Sequence, residues 1–395
     1  MVRLFRFLVF SLAAVAALLA IGWWMARPAM PGPFYSPPPG QPREPGALLR
    51  QEVFDRDVPP DAQGWRILYG TTRHDGTPAV ASAIVVLARK PHDGPRPLVA
   101  WTHGTTGFAP GCAPSLLDDP FANVPALQEA IDKGWVFVGT DYVGLGTAGP
   151  HPYLIGEGQA RSALDAIRAV RQMKQLRLDD GTVVWGHSQG GHAALWTGIL
   201  APSYAPELKL LGVVAMAPAS DLRPLLEAVQ GTTVGRIMSS FVLRSYGEAY
   251  ADVSFDAYTS APTRWLARDM SGRCLAGREA LFSVLEALAK GGSIFRIPPT
   301  SGPFGERLAQ NTPALPLPQP LLVAQGLADD LVLPEIQAAF VQRLCSAGQA
   351  VEYRTYAGRD HLSVLAPDAP FVAELVRWTE DRLAGRPAPT GCLYL

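Results

Sequence analysis

Short apolar runs of strand length recur along the chain, at 65–69, 80–87, 98–101, 136–139, 183–185, 212–217, 321–324 and 351–356. Between most of the later runs the period changes. Ala160, Ala163, Leu164 and Ile167 fall at i, i+3, i+4 and i+7, with Arg161, Asp165 and Arg168 on the other side, which predicts an amphipathic helix. Ile336, Phe340, Val341 and Leu344 form a second such stripe, and Phe371, Leu375 and Trp378 a third. Strands alternating with helices predict an α/β fold with a mostly parallel, doubly wound sheet. The runs at 183–185 and 321–324 are apolar at every position, as suits strands covered on both faces. The two earliest runs have no helix between them and predict an antiparallel edge.

The rhythm breaks between Ala219 and Pro320, where about 100 residues carry no strand–helix repeat, too long for a plain loop. Helical pieces such as 281–289 lie here, with apolar side chains of exposed character: Ile237, Met238, Phe241, Trp265, Phe282 and Phe295. This predicts a helical lid inserted at about 220–318. A separate second domain fits less well, because the chain returns directly to a core strand.

At the N-terminus, Arg3 and Arg6 precede an apolar run over 7–25 that only Ser11 and Gly22 interrupt. A basic flank followed by such a run directs export. Its length falls between the apolar region of a signal peptide and a full span of about 20 residues. Trp23 and Trp24 stand at its exit, where an anchor would meet the membrane interface. Residues 1–27 are therefore expected as a signal peptide or a membrane anchor. The remainder would be periplasmic, secreted or anchored through 7–25. Residues 28–47 are a Pro-rich tether, extended and semi-rigid, that carries the globular part away from the membrane or wraps its surface. One α/β domain is expected over 48–395.

Composition narrows the function classes. Charged residues are 17%, hydrophobic residues 48%, and the formal net charge is −1. A neutral chain lacks the basic excess that nucleic acid requires. Gly (38) and Pro (37) fall short of a low-complexity composition, which excludes a collagen or a disordered tail. Four Cys without C-x-x-C spacing make no zinc array, and no metal ligand set is expected.

The informative stretch is Gly186-His187-Ser188-Gln189-Gly190, followed by Gly191, between the strand at 183–185 and a helical pattern. This is a G-x-S-x-G nucleophile elbow in its strand–turn–helix context. A sharp turn lifts the Ser188 hydroxyl clear of the sheet, and glycine on either side avoids collision with neighbouring backbone. A serine hydroxyl needs a base to take its proton. The fold orders serine, acid, histidine, each after a later strand. Of the seven His, His361 follows the strand at 351–356 and precedes the last helix, where the base belongs. His187 flanks the serine but points away from it. His103 shapes a loop, His74 sits in a turn, and His92, His151 and His192 have no positional argument. The acid follows the strand at 321–324, where Asp329 and Asp330 compete; Asp329 comes first after the turn and is preferred. Asp360 adjoins the base in sequence and serves better as a cap. The oxyanion needs two donors: the Gln189 N–H, and one from His103-Gly104-Thr105-Thr106-Gly107, where Thr105 is preferred and Gly104 and Thr106 remain open.

Several stretches together resemble the secretory lipase family of α/β-hydrolases, which includes fungal secreted lipases and bacterial counterparts. They are "PFYSPPPG", "THGTTG" with "CAPS", "GTDYVGLGT" with "PHPY", "GHSQGG", and "GLADDLVLP" with "GRDHLSV", spanning roughly 34–378. The resemblance implies hydrolysis of carboxylic esters, commonly acylglycerols, without metal or organic cofactor. It places the acid of a G-x-x-D-x-x-V pattern on Asp329, and a lid between the sixth core strand and the acid loop. Two departures stand out: Leu333 precedes Pro334 where adjacent prolines are commoner, and the N-terminus is longer. Four Cys in an exported chain suggest disulfides. Cys112 with Cys274 would tie the oxyanion-side loop to the lid, and Cys345 with Cys392 would fasten the C-terminus; the resemblance supports the first more than the second, and buried free thiols are the alternative. The expected activity is that of a monomeric serine lipase or esterase on a small-molecule or lipid ester, with membrane contact through its N-terminal segment. Acyl transfer or peptide cleavage on the same three residues, or an idle exported binding protein, are the rival readings.

Overall fold

The computed structural model describes residues 2–40, 44–314 and 316–395; Met1, residues 41–43 and Leu315, which fall in the expected leader, tether and lid, lie outside the described residues. Ten strands in these residues form one sheet: β1 (Leu48–Phe54), β2 (Ala62–Thr72), β3 (Pro78–Ala88), β4 (Arg96–Thr102), β5 (Val136–Thr140), β6 (Leu178–His187), β7 (Lys209–Met216), β8 (Leu321–Gly326), β9 (Val351–Tyr356) and β10 (Leu393–Tyr394). Their spatial order is β1-β2-β3-β5-β4-β6-β7-β8-β9-β10. From β5 to β10 every neighbouring pair is parallel, whereas β1, β2 and β3 run antiparallel and β3 joins β5 antiparallel. The predicted antiparallel edge is thus three strands wide. The sequence pattern missed β1, because Arg50, Gln51 and Glu52 interrupt its apolar residues; as an edge strand it fully buries only Phe54.

The outer helices are α1 (Val2–Met25), α2 (Leu127–Asp132), α3 (Gly156–Val170) and α4 (Gln189–Tyr204). Between β7 and β8 come α5 (Leu222–Val229), α6 (Thr233–Ala249), α7 (Phe255–Tyr258), α8 (Ala261–Met270), α9 (Gly277–Lys290) and α10 (Gly302–Gln310), and after β8 come α11 (Pro334–Ser346) and α12 (Pro370–Leu383). The unbroken apolar strands explain why helices flank both faces. Val184, Ala215 and Val323 point to one side, where Ile167, Leu195 and Phe340 of α3, α4 and α11 cover them. Val183, Trp185, Val214 and Leu322 point to the other, under Ile131 of α2 and Phe371, Leu375 and Trp378 of α12. Both α11 and α12 begin on a proline, whose missing N–H costs nothing at a first helical position.

The helical insertion has its own core, built from Leu222, Leu226, Phe241, Tyr246, Met270 and Phe304 among others. Of the side chains expected to be exposed there, Ile237 and Phe241 are buried in this core, while Trp265 is 60% exposed. A helical periodicity cannot tell a face turned to solvent from one turned to a second core. The insertion is bound to the loop after β4 in two ways: the Cys112–Cys274 disulfide, and an antiparallel β-bridge between Gly107 and Cys274 that includes a Leu275 N–H bond of 2.7 Å to the Thr106 oxygen. A second disulfide, Cys345–Cys392, fastens the segment that carries β10.

The Pro-rich segment wraps the domain where it is described. Phe34 and Tyr35 are buried against Leu68 and Val80, and the Tyr35 hydroxyl lies 2.8 Å from Ser115 Oγ. The end of α1 meets the insertion: the Trp23 indole N–H donates to Asp269 at 3.1 Å, and its ring stacks on Trp265. Among the described residues no helix is long and apolar enough to cross a membrane.

Replacing both Cys112 and Cys274 by Ala is expected to lower the unfolding free energy by about 2–5 kcal/mol, as loss of a native disulfide does. Thermal unfolding followed by circular dichroism measures it, and an unchanged midpoint would show that the bridge adds nothing beyond the hydrogen bonds beside it.

Candidate active site

Four loops meet at the carboxyl edge of the parallel strands, where open α/β sheets place their ligands. They follow β4, β6, β8 and β9, and carry Thr105, Ser188, Asp329 and His361 in turn.

Ser188 adopts φ 57° and ψ −120°, a sparsely populated region for a residue with a side chain. Its N–H donates to the Met216 oxygen at 2.9 Å, and its own oxygen accepts from the N–H groups of His192 and Ala219, each at 3.1 Å. The flanking glycines have a steric reason. A Cβ on Gly190 would stand 1.8 Å from the Thr102 oxygen, and one on Gly186 would stand 2.1 Å from the Gly190 oxygen. The end of β4 is therefore pressed against the elbow. The Thr102 hydroxyl locks this contact by donating toward the oxygens of Gly190 (2.8 Å) and Trp185 (3.0 Å).

Asp329 and His361 are in direct contact. His361 Nδ1 lies 2.8 Å from Asp329 Oδ2. The carboxylate is 3% exposed and accepts three further bonds: the Leu331 and Val332 N–H groups reach Oδ1 at 2.9 and 2.8 Å, and the Gln325 amide reaches Oδ2 at 3.1 Å. Four donors compensate the burial of the charge. Asp330 is exposed and Asp360 caps its own turn, accepting from the N–H groups of Leu362 and Ser363. Of the competing acids, only Asp329 is bonded to His361.

Gln189 opens α4, so its N–H has no partner within the helix. Among the described residues neither the Gln189 nor the Thr105 N–H has an acceptor. The Thr105 hydroxyl lies 2.9 Å from that of Tyr153, which donates to Met238 Sδ of α6 at 3.3 Å. The Gln189 side chain is held aside: its amide lies 3.1 Å from His151 Nε2, whose Nδ1 in turn donates to the Val143 oxygen.

Several histidines around the site are neutral for reasons of burial. His103 is pushed down to about 4 and His192 to about 4 by burial alone. Burial, with His103 nearby, takes His151 to about 3. Burial first, and the adjacent His361 second, hold His187 well below the usual imidazole range. Sequence reasoning assigned no role to His151, Tyr153 or His187, because each acts through a contact distant along the chain; Gln325, four residues before Asp329, was missed because no motif marks it.

A sequence model described as "Secretory lipase" matches residues 122–391. A secreted triacylglycerol lipase of Malassezia globosa is 28% identical over 98% of the chain and 88% of its own length. A Mycobacterium tuberculosis protein described as a probable inactive lipase is 26% identical over 91% of the chain and 84% of its own length. Among solved structures, Candida antarctica lipase A superposes with a TM-score of 0.77 at 19% identity, over 92% of this chain and 89% of that one. A rice cell wall degrading esterase from Xanthomonas oryzae superposes with a TM-score of 0.68 at 20% identity, over 86% and 97%. These structures share the fold of a large, mostly parallel sheet flanked by helices, and the sequence match spans the elbow, the insertion and the loops of Asp329 and His361: the chain belongs to the secretory lipase family of α/β-hydrolases.

Proposed function

We propose that the chain hydrolyses carboxylic esters through an acyl-enzyme on Ser188. The observation that carries this reading is the buried Asp329–His361 bond beside a strained elbow that presents a serine. Asp329 holds the Nδ1 hydrogen, which leaves Nε2 with the lone pair that a general base needs. His361 takes the Ser188 proton as Oγ attacks the ester carbonyl, then returns it to the leaving alkoxide. The Gln189 and Thr105 N–H groups stand free at the two loops that flank Ser188, and they take the oxyanion. Water, deprotonated by the same imidazole, attacks the acyl-serine and releases the acid.

The helical insertion acts in this reading as a lid. Its apolar character favours acyl chains over charged substrates, in keeping with relatives named as triacylglycerol lipases. Relatives named as secreted, together with the basic and apolar N-terminal segment, support export of the chain. The relative described as inactive means that family membership alone does not guarantee turnover. The reading for this chain therefore rests on its own serine, imidazole and carboxylate.

Replacing Ser188 by Ala is expected to lower kcat by roughly 10⁴-fold or more and to abolish labelling by a fluorophosphonate; p-nitrophenyl butyrate turnover at the original rate would reject the nucleophile. Asp329→Asn is expected to cost on the order of 10³–10⁴ in kcat by disturbing the imidazole tautomer, while Asp330→Asn stays within about twofold. Steady-state kinetics of the two variants side by side decide between the adjacent carboxylates.

A further inference from the structure

The residue ahead of Ser188 has a place that the three reacting side chains do not account for. His187 ends β6 with 3% of its surface exposed. Its Nε2 lies 2.9 Å from the main-chain oxygen of His361. A carbonyl oxygen only accepts, so Nε2 carries the hydrogen and Nδ1 is left with its lone pair. The two imidazoles also pack against each other, with ring centroids 4.7 Å apart and planes inclined by 43°. On its Nδ1 side the His187 ring faces the loop after β4. A Cβ on Gly104 would stand 3.3 Å from Nδ1 and 3.7 Å from Ser188 Cβ, so glycine leaves this ring its seat.

One side chain thus touches the Gly104 loop and the His361 loop, and its own backbone runs directly into Ser188. Asp329 restrains His361 at the ring nitrogen, which fixes tautomer and rotation. It does not fix the main chain from which the ring hangs. The His187 bond supplies that second point of attachment, and it satisfies a carbonyl that would otherwise lie unpaired beside a buried ring. Being neutral, His187 also brings no positive charge against the imidazolium that forms on its neighbour during turnover.

We propose that His187 is a positioning residue: by donating from Nε2 to the His361 carbonyl, and by filling the space between that loop and Gly104, it holds the base over Ser188. It acts through His361, whose main-chain oxygen it bonds and whose ring it packs against. The proposal rests on the reading of Ser188, His361 and Asp329 given above.

The test compares His187→Gln with His187→Met. The two side chains have similar length, and only the first has an N–H to give to the His361 oxygen. Both are assayed with p-nitrophenyl butyrate, with kcat expressed per site titrated by a fluorophosphonate so that misfolded protein is divided out. Displacing a base by about 1 Å can cost up to about 10²-fold. His187→Met is expected to lose about 10- to 100-fold in kcat with KM within about twofold, and His187→Gln to recover to within about fivefold of the parent. Equal kcat in the two variants, at whatever level, overturns the proposal, as does a loss confined to KM. The two readings fail separately. Turnover by Ser188→Ala at the parent rate removes the nucleophile assignment, whereas an inactive Ser188→Ala beside equal His187 variants removes this inference alone.

Discussion

The site depends on how closely two backbones approach at the elbow. The end of β4 lies against the first turn of α4 so tightly that a methyl group on Gly190 would stand inside the Thr102 carbonyl oxygen. That contact lets Ser188 hold φ 57°, a conformation costing on the order of 1–3 kcal/mol that persists only where the surroundings over-determine it. Here they do. Ser188 is bonded through its N–H to β7, through its oxygen to the first turn of α4 and to Ala219, and the Thr102 hydroxyl closes the gap to β4. The same approach brings the loop after β4 beside the serine, so elbow strain and the supply of oxyanion donors have one cause.

Charge is handled by burial and by saturation with donors. Asp329 remains inside the protein because four hydrogen bonds meet its two oxygens, two of them from main-chain N–H groups that cannot move away. Around it, buried histidines are neutral and act as directional hydrogen-bonding rings. A positively charged neighbour would oppose formation of the imidazolium on His361, and burial of the His187 ring that packs against it avoids one. The helical insertion reaches this arrangement through the loop after β4, to which a disulfide and a main-chain bond tie it, and through the contact of Met238 with Tyr153.

Much of the fold could be read from periodicity. Each of the eight apolar runs coincides with a strand, the run at 212–217 passing the end of β7 by one residue, and the three amphipathic stripes lie on α3, α11 and α12. The polar edge strand β1 escaped, since its residues alternate too weakly to show a buried face. Ile237 and Phe241 looked solvent-facing because the insertion's second core is made by helices that meet only in three dimensions. At the site, strand order and local spacing were enough to nominate Ser188, Asp329 and His361. The neighbours that orient them, His187 on the His361 carbonyl and His151 on the Gln189 amide, lie 174 and 38 residues from their partners and leave no local trace.

What the chain's order of residues determined by itself is whatever a steric rule acting over a few residues can enforce: the glycines about Ser188 and the apolar strands covered twice. The choice between Asp329 and Asp330 as the partner of His361 was different. The linear reading preferred Asp329 by its place after the turn but left Asp330 open, and the one that faces the imidazole is selected by the direction in which the turn after β8 aims each side chain. Only the packed loops decided that, by burying one carboxylate among four donors and leaving the other to water.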